Sequence, residues 1–236
     1  MGADALRYTQ KTWYYRYMNE LHKNKQYYDN GAWTVKEVDA EINAGLELIN
    51  GVKQPIAAFF GSHSISPESP DYINCKETAY ELGKQGYAIL SGGGPGIMYA
   101  ANAGAMAAGA PSLGFKAKLL EKEQVAESIY THQMSFNFIF VRRFIMSIKS
   151  KALIFYPGGY GTLNELFEYA TLIQVGIMDP VPMICVDTAY WQGLFNWLKD
   201  KPLKDNLLSN GAKGLDLFTF TDSIKETIAC IKKGGV

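Results

Sequence analysis

A chain of 236 residues, 47% of them hydrophobic and 19% charged, is long enough to bury one substantial core and too apolar to remain unfolded. Its 23 basic and 23 acidic residues cancel, so no global positive field exists to hold a nucleic-acid backbone or an anionic bilayer, and a small ligand or a protein partner is expected instead. Cys75, Cys185 and Cys230 are odd in number and far apart with no CxxC, which excludes a disulfide framework and points to reduced thiols.

Residues 1–50 read as an N-terminal helical extension. The stretch "YTQKTWYYRYMNELHKNKQYY" is aromatic and charged, and "TVKEVDAEINAGLELINGV" places Val35, Val38, Ile42, Leu46 and Ile49 near one helical stripe. The amino terminus lacks an apolar run of signal-peptide length. No window approaches the roughly 20 apolar residues of a membrane span, so a cytoplasmic location is expected.

Residues 51–236 read as one α/β domain. Short apolar runs stand at 56–60, 87–90, 112–115, 152–156, 181–186 and 216–220, each separated from the next by room for a helix. Helices are expected near 71–85, 96–109, 135–150, 162–176, 188–200 and 222–232, and residues 116–134 read as a loop with a short helix at most. Such spacing predicts βαβ crossovers and an α/β fold: a Rossmann-like, doubly wound parallel sheet with helices on both faces.

In such a sheet, ligands sit beyond the carboxyl ends of the strands. Three junctions there are rich in small residues: "FFGSHS", "LSGGGPGIM" and "FYPGGYGTLNE". Glycine lets backbone N–H groups approach a ligand, and a helix amino terminus adds partial positive charge, so these loops suit an anion. Neither glycine loop is a Walker A sequence or a standard GxGxxG fingerprint, and tight βα turns alone account for either one.

Residues 136–148 are apolar around nearly the whole helix, which predicts burial, yet Arg142 and Arg143 project about 100° apart from it. A buried cation needs an anionic or hydrogen-bonding partner. Glu165 is the nearest obvious carboxylate. A functional pair, a structural ion pair and snorkelling of one arginine all satisfy this requirement.

"PGGYGTLNE" (157–165) resembles the PGGxGTxxE motif of the LONELY GUY (LOG) family of cytokinin-activating phosphoribohydrolases, long labelled putative lysine decarboxylases in bacteria, and "RRFIM" (142–146) resembles its RKxxM. The similarity runs from about Phe59 through Asp187, taking in "SGGGPGIM", "LIQVGI" and "VPMICVD". The resemblance implies hydrolysis of the N-glycosidic bond of a nucleoside or cytokinin riboside 5'-monophosphate such as AMP, releasing free base and ribose 5-phosphate. It implies that Arg142 and Glu165 are the catalytic pair and that Gly158, Gly159, Gly161 and Thr162 hold the 5'-phosphate. Gly92, Gly93 and Gly94 then lie along the ribose and phosphate, with Ser62 and Arg143 as further candidate contacts. The family's lysine is Arg143 here, and the acidic residue often preceding the glutamate is Asn164. The long amino-terminal segment resembles the larger bacterial group.

The expected partners are a nucleoside monophosphate and further copies of this chain, as a homodimer or higher homo-oligomer, with no nucleic acid and no membrane. No cofactor is expected. His22, His63 and His132 have no metal-ligand spacing, so no metal is expected either. A non-catalytic nucleotide or cofactor carrier on the same sheet is the alternative. A pyridoxal phosphate decarboxylase lacks a candidate Schiff-base lysine, and a dinucleotide oxidoreductase lacks the acidic ribose partner about 20 residues beyond "GGGPG".

Overall fold

The structure is a computed structural model that describes residues 30–118, 125, 127–208 and 210–234. The aromatic part of the expected N-terminal extension, including His22, lies outside them. The described residues fall into two compact units that divide between Asn43 and Ala44. Helix α1 (Gly31–Gly51) runs across that division, and the expected boundary at 50/51 falls on its last turn. Its amino terminus is capped by Asn30, whose side-chain oxygen accepts from the Trp33 N–H at 3.0 Å. The read stripe is uneven, because Ile49 is fully buried whereas Val35 is 70% exposed.

The second unit is built on strands β1 (Ile56–Phe60), β2 (Ala88–Ser91), β3 (Ser112–Ala117), β4 (His132–Phe136), β5 (Ser150–Phe155), β6 (Met183–Val186) and β7 (Phe218–Thr221). They form one sheet in the order β4-β3-β2-β1-β5-β6-β7, and every neighbouring pair is parallel. The connections are α2 (Pro70–Lys84), α3 (Ile97–Ala107), α4 (Ile139–Ile148), α5 (Tyr160–Gln174), α6 (Thr188–Leu198) and, after β7, α7 (Ile224–Gly234). Strand order reverses between β1 and β5, so the fold is the doubly wound α/β sheet and its ligand crevice is expected at that switch point.

Alternation along each strand divides the core into two faces. Ala57, Phe59, Ile89, Ala152, Ile154, Ile184 and Val186 point to one face, where Cys75, Ala79 and Leu82 of α2, the alanines of α3 and Ile231 of α7 cover them. Small residues let α2 and α3 pack closely: a Cβ on Gly104 would stand 2.9 Å from the Ala79 methyl. On the other face Phe60 meets Tyr169 of α5 with ring centroids 5.3 Å apart, and Val141, Ile145 and Met146 of α4 are buried.

Two expectations are corrected. The segment 116–134 is not all loop, since β3 continues to Ala117 and residues 132–136, read partly as loop and partly as the start of a helix, form edge strand β4. Helix α4 therefore begins at Ile139, not near 135. Nor is it buried all round: Phe140 is 54% and Phe144 43% exposed. No helix among the described residues is long and apolar enough to cross a membrane.

Candidate active site

The loops that follow β1, β2 and β5 converge at the carboxyl edge of the sheet on a cleft of about 470 Å³. Backbone bonds knit them together. The Ser62 N–H donates to the Pro157 carbonyl at 2.9 Å, and the Ile97 N–H donates to the Ser62 carbonyl at 3.1 Å. Two glycines permit this approach. Gly96 has φ of +63°, and a Cβ there would overlap the Ser62 carbonyl; a Cβ on Gly158 would overlap the Thr162 hydroxyl.

The amino termini of α3 and α5 carry no side-chain cap, as is also true of α4. Helix α2 is capped by Ser69 and α6 by Asp187, each through a side chain. Helices α3 and α5, which open on the cleft, start at Gly96 and Gly159 with no side-chain cap and no acidic residue in the first turn. Apart from the Ile97 N–H, which donates to the Ser62 carbonyl, their first N–H groups and dipoles are left for a ligand, and the chemistry they favour is an anion's.

Of the residues singled out from the sequence, Ser62, Gly92, Gly93, Gly94, Gly159, Gly161, Thr162, Arg142 and Glu165 all line this cleft. Gly158 stands behind it, its carbonyl accepting the Tyr190 hydroxyl. Arg143 also points elsewhere: it is ion-paired with Glu168, one turn beyond Glu165 on α5, while the Tyr169 hydroxyl donates to its backbone carbonyl at 3.3 Å. Glu165 is therefore not the partner that Arg143 takes.

Arg142 is buried. Its Nε donates to the Phe115 carbonyl at 2.7 Å, and its guanidinium lies against Gly92, where a Cβ would overlap Nη2. Glu165, only 9% exposed, accepts no hydrogen bond from the described residues. Burial pushes its carboxyl up to about 7 against the pull of Arg142 and Arg143, with Glu168 adding a further upward push. A carboxyl so placed exchanges its proton near neutral pH, which suits an acid–base group.

Sequence reasoning missed three features. Lys116 lines the cleft from the end of β3; it lies just past the apolar run "SLGF". Tyr130 fills the space over Gly114, where a Cβ would overlap its ring, and its hydroxyl donates to the Gly93 carbonyl at 2.9 Å. Third, Ser91 Oγ accepts from the Gly93 N–H at 3.0 Å and in turn donates to Asn102, whose amide donates to Ser112 Oγ at 2.9 Å. The glycine loop is thus held at both the N–H and the carbonyl of Gly93. His63 is exposed and also lines the cleft.

Residues 98–231 match the family model described as "Possible lysine decarboxylase". A cytokinin riboside 5'-monophosphate phosphoribohydrolase of Mycobacterium tuberculosis is 30% identical over 172 residues, 69% of this chain and 88% of that protein. A probable enzyme of the same name from Oryza sativa subsp. japonica is 29% identical over 185 residues, 76% of this chain and 71% of that one. Among solved structures, the molybdenum cofactor binding protein of Rippkaea orientalis superposes with a TM-score of 0.57 at 21% identity, covering 78% of this chain and 98% of that one. The Moco carrier protein of Chlamydomonas reinhardtii gives 0.55 at 17%, covering 77% and 98%. At those identities the structural likeness bears on the fold. With the family model spanning more than half of the chain and both motifs meeting in one cleft, the chain belongs to the LONELY GUY (LOG) family, the group matched by the model described as possible lysine decarboxylase.

Proposed function

We propose that the protein hydrolyses the N-glycosidic bond of a nucleoside 5'-monophosphate, a cytokinin riboside monophosphate or AMP among them, to the free base and ribose 5-phosphate. One observation carries this reading: a buried, proton-exchanging carboxyl, Glu165, shares a cleft with the uncapped amino terminus of its own helix.

In this reading the first-turn N–H groups of α5 and the Thr162 hydroxyl hold the 5'-phosphate, and Gly92, Gly93 and Gly94 border the ribose. Anchoring at the phosphate sets the anomeric carbon against Glu165 in the second turn. Departure of the base leaves positive charge on the sugar ring. The Glu165 carboxylate stabilises that charge and takes a proton from the water whose oxygen bonds to C1'. The electron pair of the broken C1'–N bond leaves with the base. Arg142, fixed by the Phe115 carbonyl, keeps part of the Glu165 population ionised and orients the substrate. The same reading includes a homo-oligomer, supported by the exposed Phe140 and Phe144 on α4.

The test is a panel of nucleoside 5'-monophosphates, the parent nucleosides and cytokinin riboside monophosphates, with free base and ribose 5-phosphate both quantified. Equimolar release from monophosphates, and far slower release from nucleosides, is the expected result. Binding without release would instead mark a carrier.

A further inference from the structure

Two walls of the cleft are chemically different. Glu165 and Arg142 come from α5 and α4, on the face of the sheet where Phe60 meets Tyr169. Lys116 comes from the other face. Ser112, Gly114 and Lys116 point the same way along β3; Ser112 is bonded to Asn102 of α3, and α3 covers the opposite face. The carboxylate and the ammonium therefore approach the cleft from opposite sides of the sheet edge.

Lys116 is also held in place. Its Nζ lies 4.8 Å from the centroid of the Tyr130 ring. Its Cγ packs against Gly93, where a Cβ would come within 2.8 Å. β3 stands three strands from β5, roughly 14 Å along the edge, a span that fits a nucleotide laid out with its phosphate on α5 and its base toward β3.

Resting on the reading above, we propose that Lys116 is the leaving-group residue of this hydrolysis, donating a hydrogen bond from its ammonium to a ring nitrogen or carbonyl oxygen of the departing base. Its positive charge offsets the negative charge that collects on the base as the C1'–N bond breaks. The base takes the bonding electron pair, then a proton from solvent, while the water oxygen bonds to C1' and its proton goes to Glu165. Attack and departure thus proceed from the two opposite walls.

The experiment compares Lys116→Met, Lys116→Arg and His63→Ala with wild type on two substrates: the best nucleoside monophosphate, and a p-nitrophenyl riboside 5-phosphate whose leaving group carries negative charge unaided. Thermal melts confirm folding. Expected is a loss of about 100-fold for Lys116→Met on the nucleotide but under about fivefold on the aryl substrate, with Lys116→Arg retaining the larger part of the nucleotide rate. Equal losses on both substrates, no loss on either, or the leaving-group-dependent loss appearing in His63→Ala instead would overturn the assignment. Wild type inactive on every nucleotide would overturn the hydrolase reading itself, a result distinct from active wild type with unaffected Lys116→Met.

Discussion

Arg143 is ion-paired with Glu168, one turn beyond Glu165 on α5, and this leaves Arg142 as the guanidinium that lines the cleft with the buried carboxyl. The neighbouring arginines thus have separate duties: one ties α4 to α5, the other faces the ligand space. Both charges still act on Glu165, as does Glu168.

That arrangement predicts how the pH profile moves. If Glu165 acts as its carboxylate, kcat/KM rises with pH through a limb near 7. Arg142→Gln removes a downward influence, so its residual activity shows the limb at higher pH; Glu168→Gln removes an upward one, and its limb moves lower. The substrate phosphate also titrates near neutrality, but identically for every variant, so the displacement relative to wild type is the readout.

Stability has the opposite demand. The Glu165 carboxyl is raised from 4.5 to about 7 in the fold, so the unfolded chain gives up its proton first, and the native state loses stability as pH climbs between those values. Above both, the cost of keeping this group ionised is roughly 3 kcal/mol. Glu165→Gln escapes it. The variant is expected to melt several degrees above wild type at pH 8 and close to it at pH 4.5, a difference that pH-resolved calorimetry measures.

Gly92→Ala tests how Arg142 is positioned. A Cβ there overlaps the guanidinium and stands 2.6 Å from Met98 Sδ. The expected outcome is displacement of Arg142 from the Phe115 carbonyl, with kcat reduced at least tenfold. Gly51→Ala, where nothing lies within 4 Å, is the control that leaves activity unchanged.

Tyr130→Phe keeps the ring under Lys116 and removes the hydroxyl that holds the Gly93 carbonyl. Loss of that bond costs about 1 kcal/mol of stability, readable in urea melts. Because the Gly93 N–H remains on Ser91, KM is expected to rise more than kcat falls.

What was legible in the sequence was local. "IAAFF" is buried at every position and its strand stands where the apolar run placed it; the glycine loops lie where strand meets helix, and both motifs line one cleft because βα junctions of a parallel sheet share an edge. Edge strand β4 was not legible, since "HQMSF" buries only Phe136 and so shows no periodicity. Glu168 was missed for a different reason: whether Arg143 meets the carboxylate at 165 or at 168 depends on the relative rotation of two helices, which no single-helix pattern encodes. Tyr130 and Lys116 act through the space over two glycines, a purely tertiary fit.

The central claim is tested most directly by base release in a single turnover. Wild type and Glu165→Gln are mixed in excess over a nucleoside monophosphate at pH 8, with nucleotide affinity measured in parallel. The account predicts that the variant binds the nucleotide about as tightly and releases base at least about 100-fold more slowly. Equal rates of base release from the two proteins would contradict it.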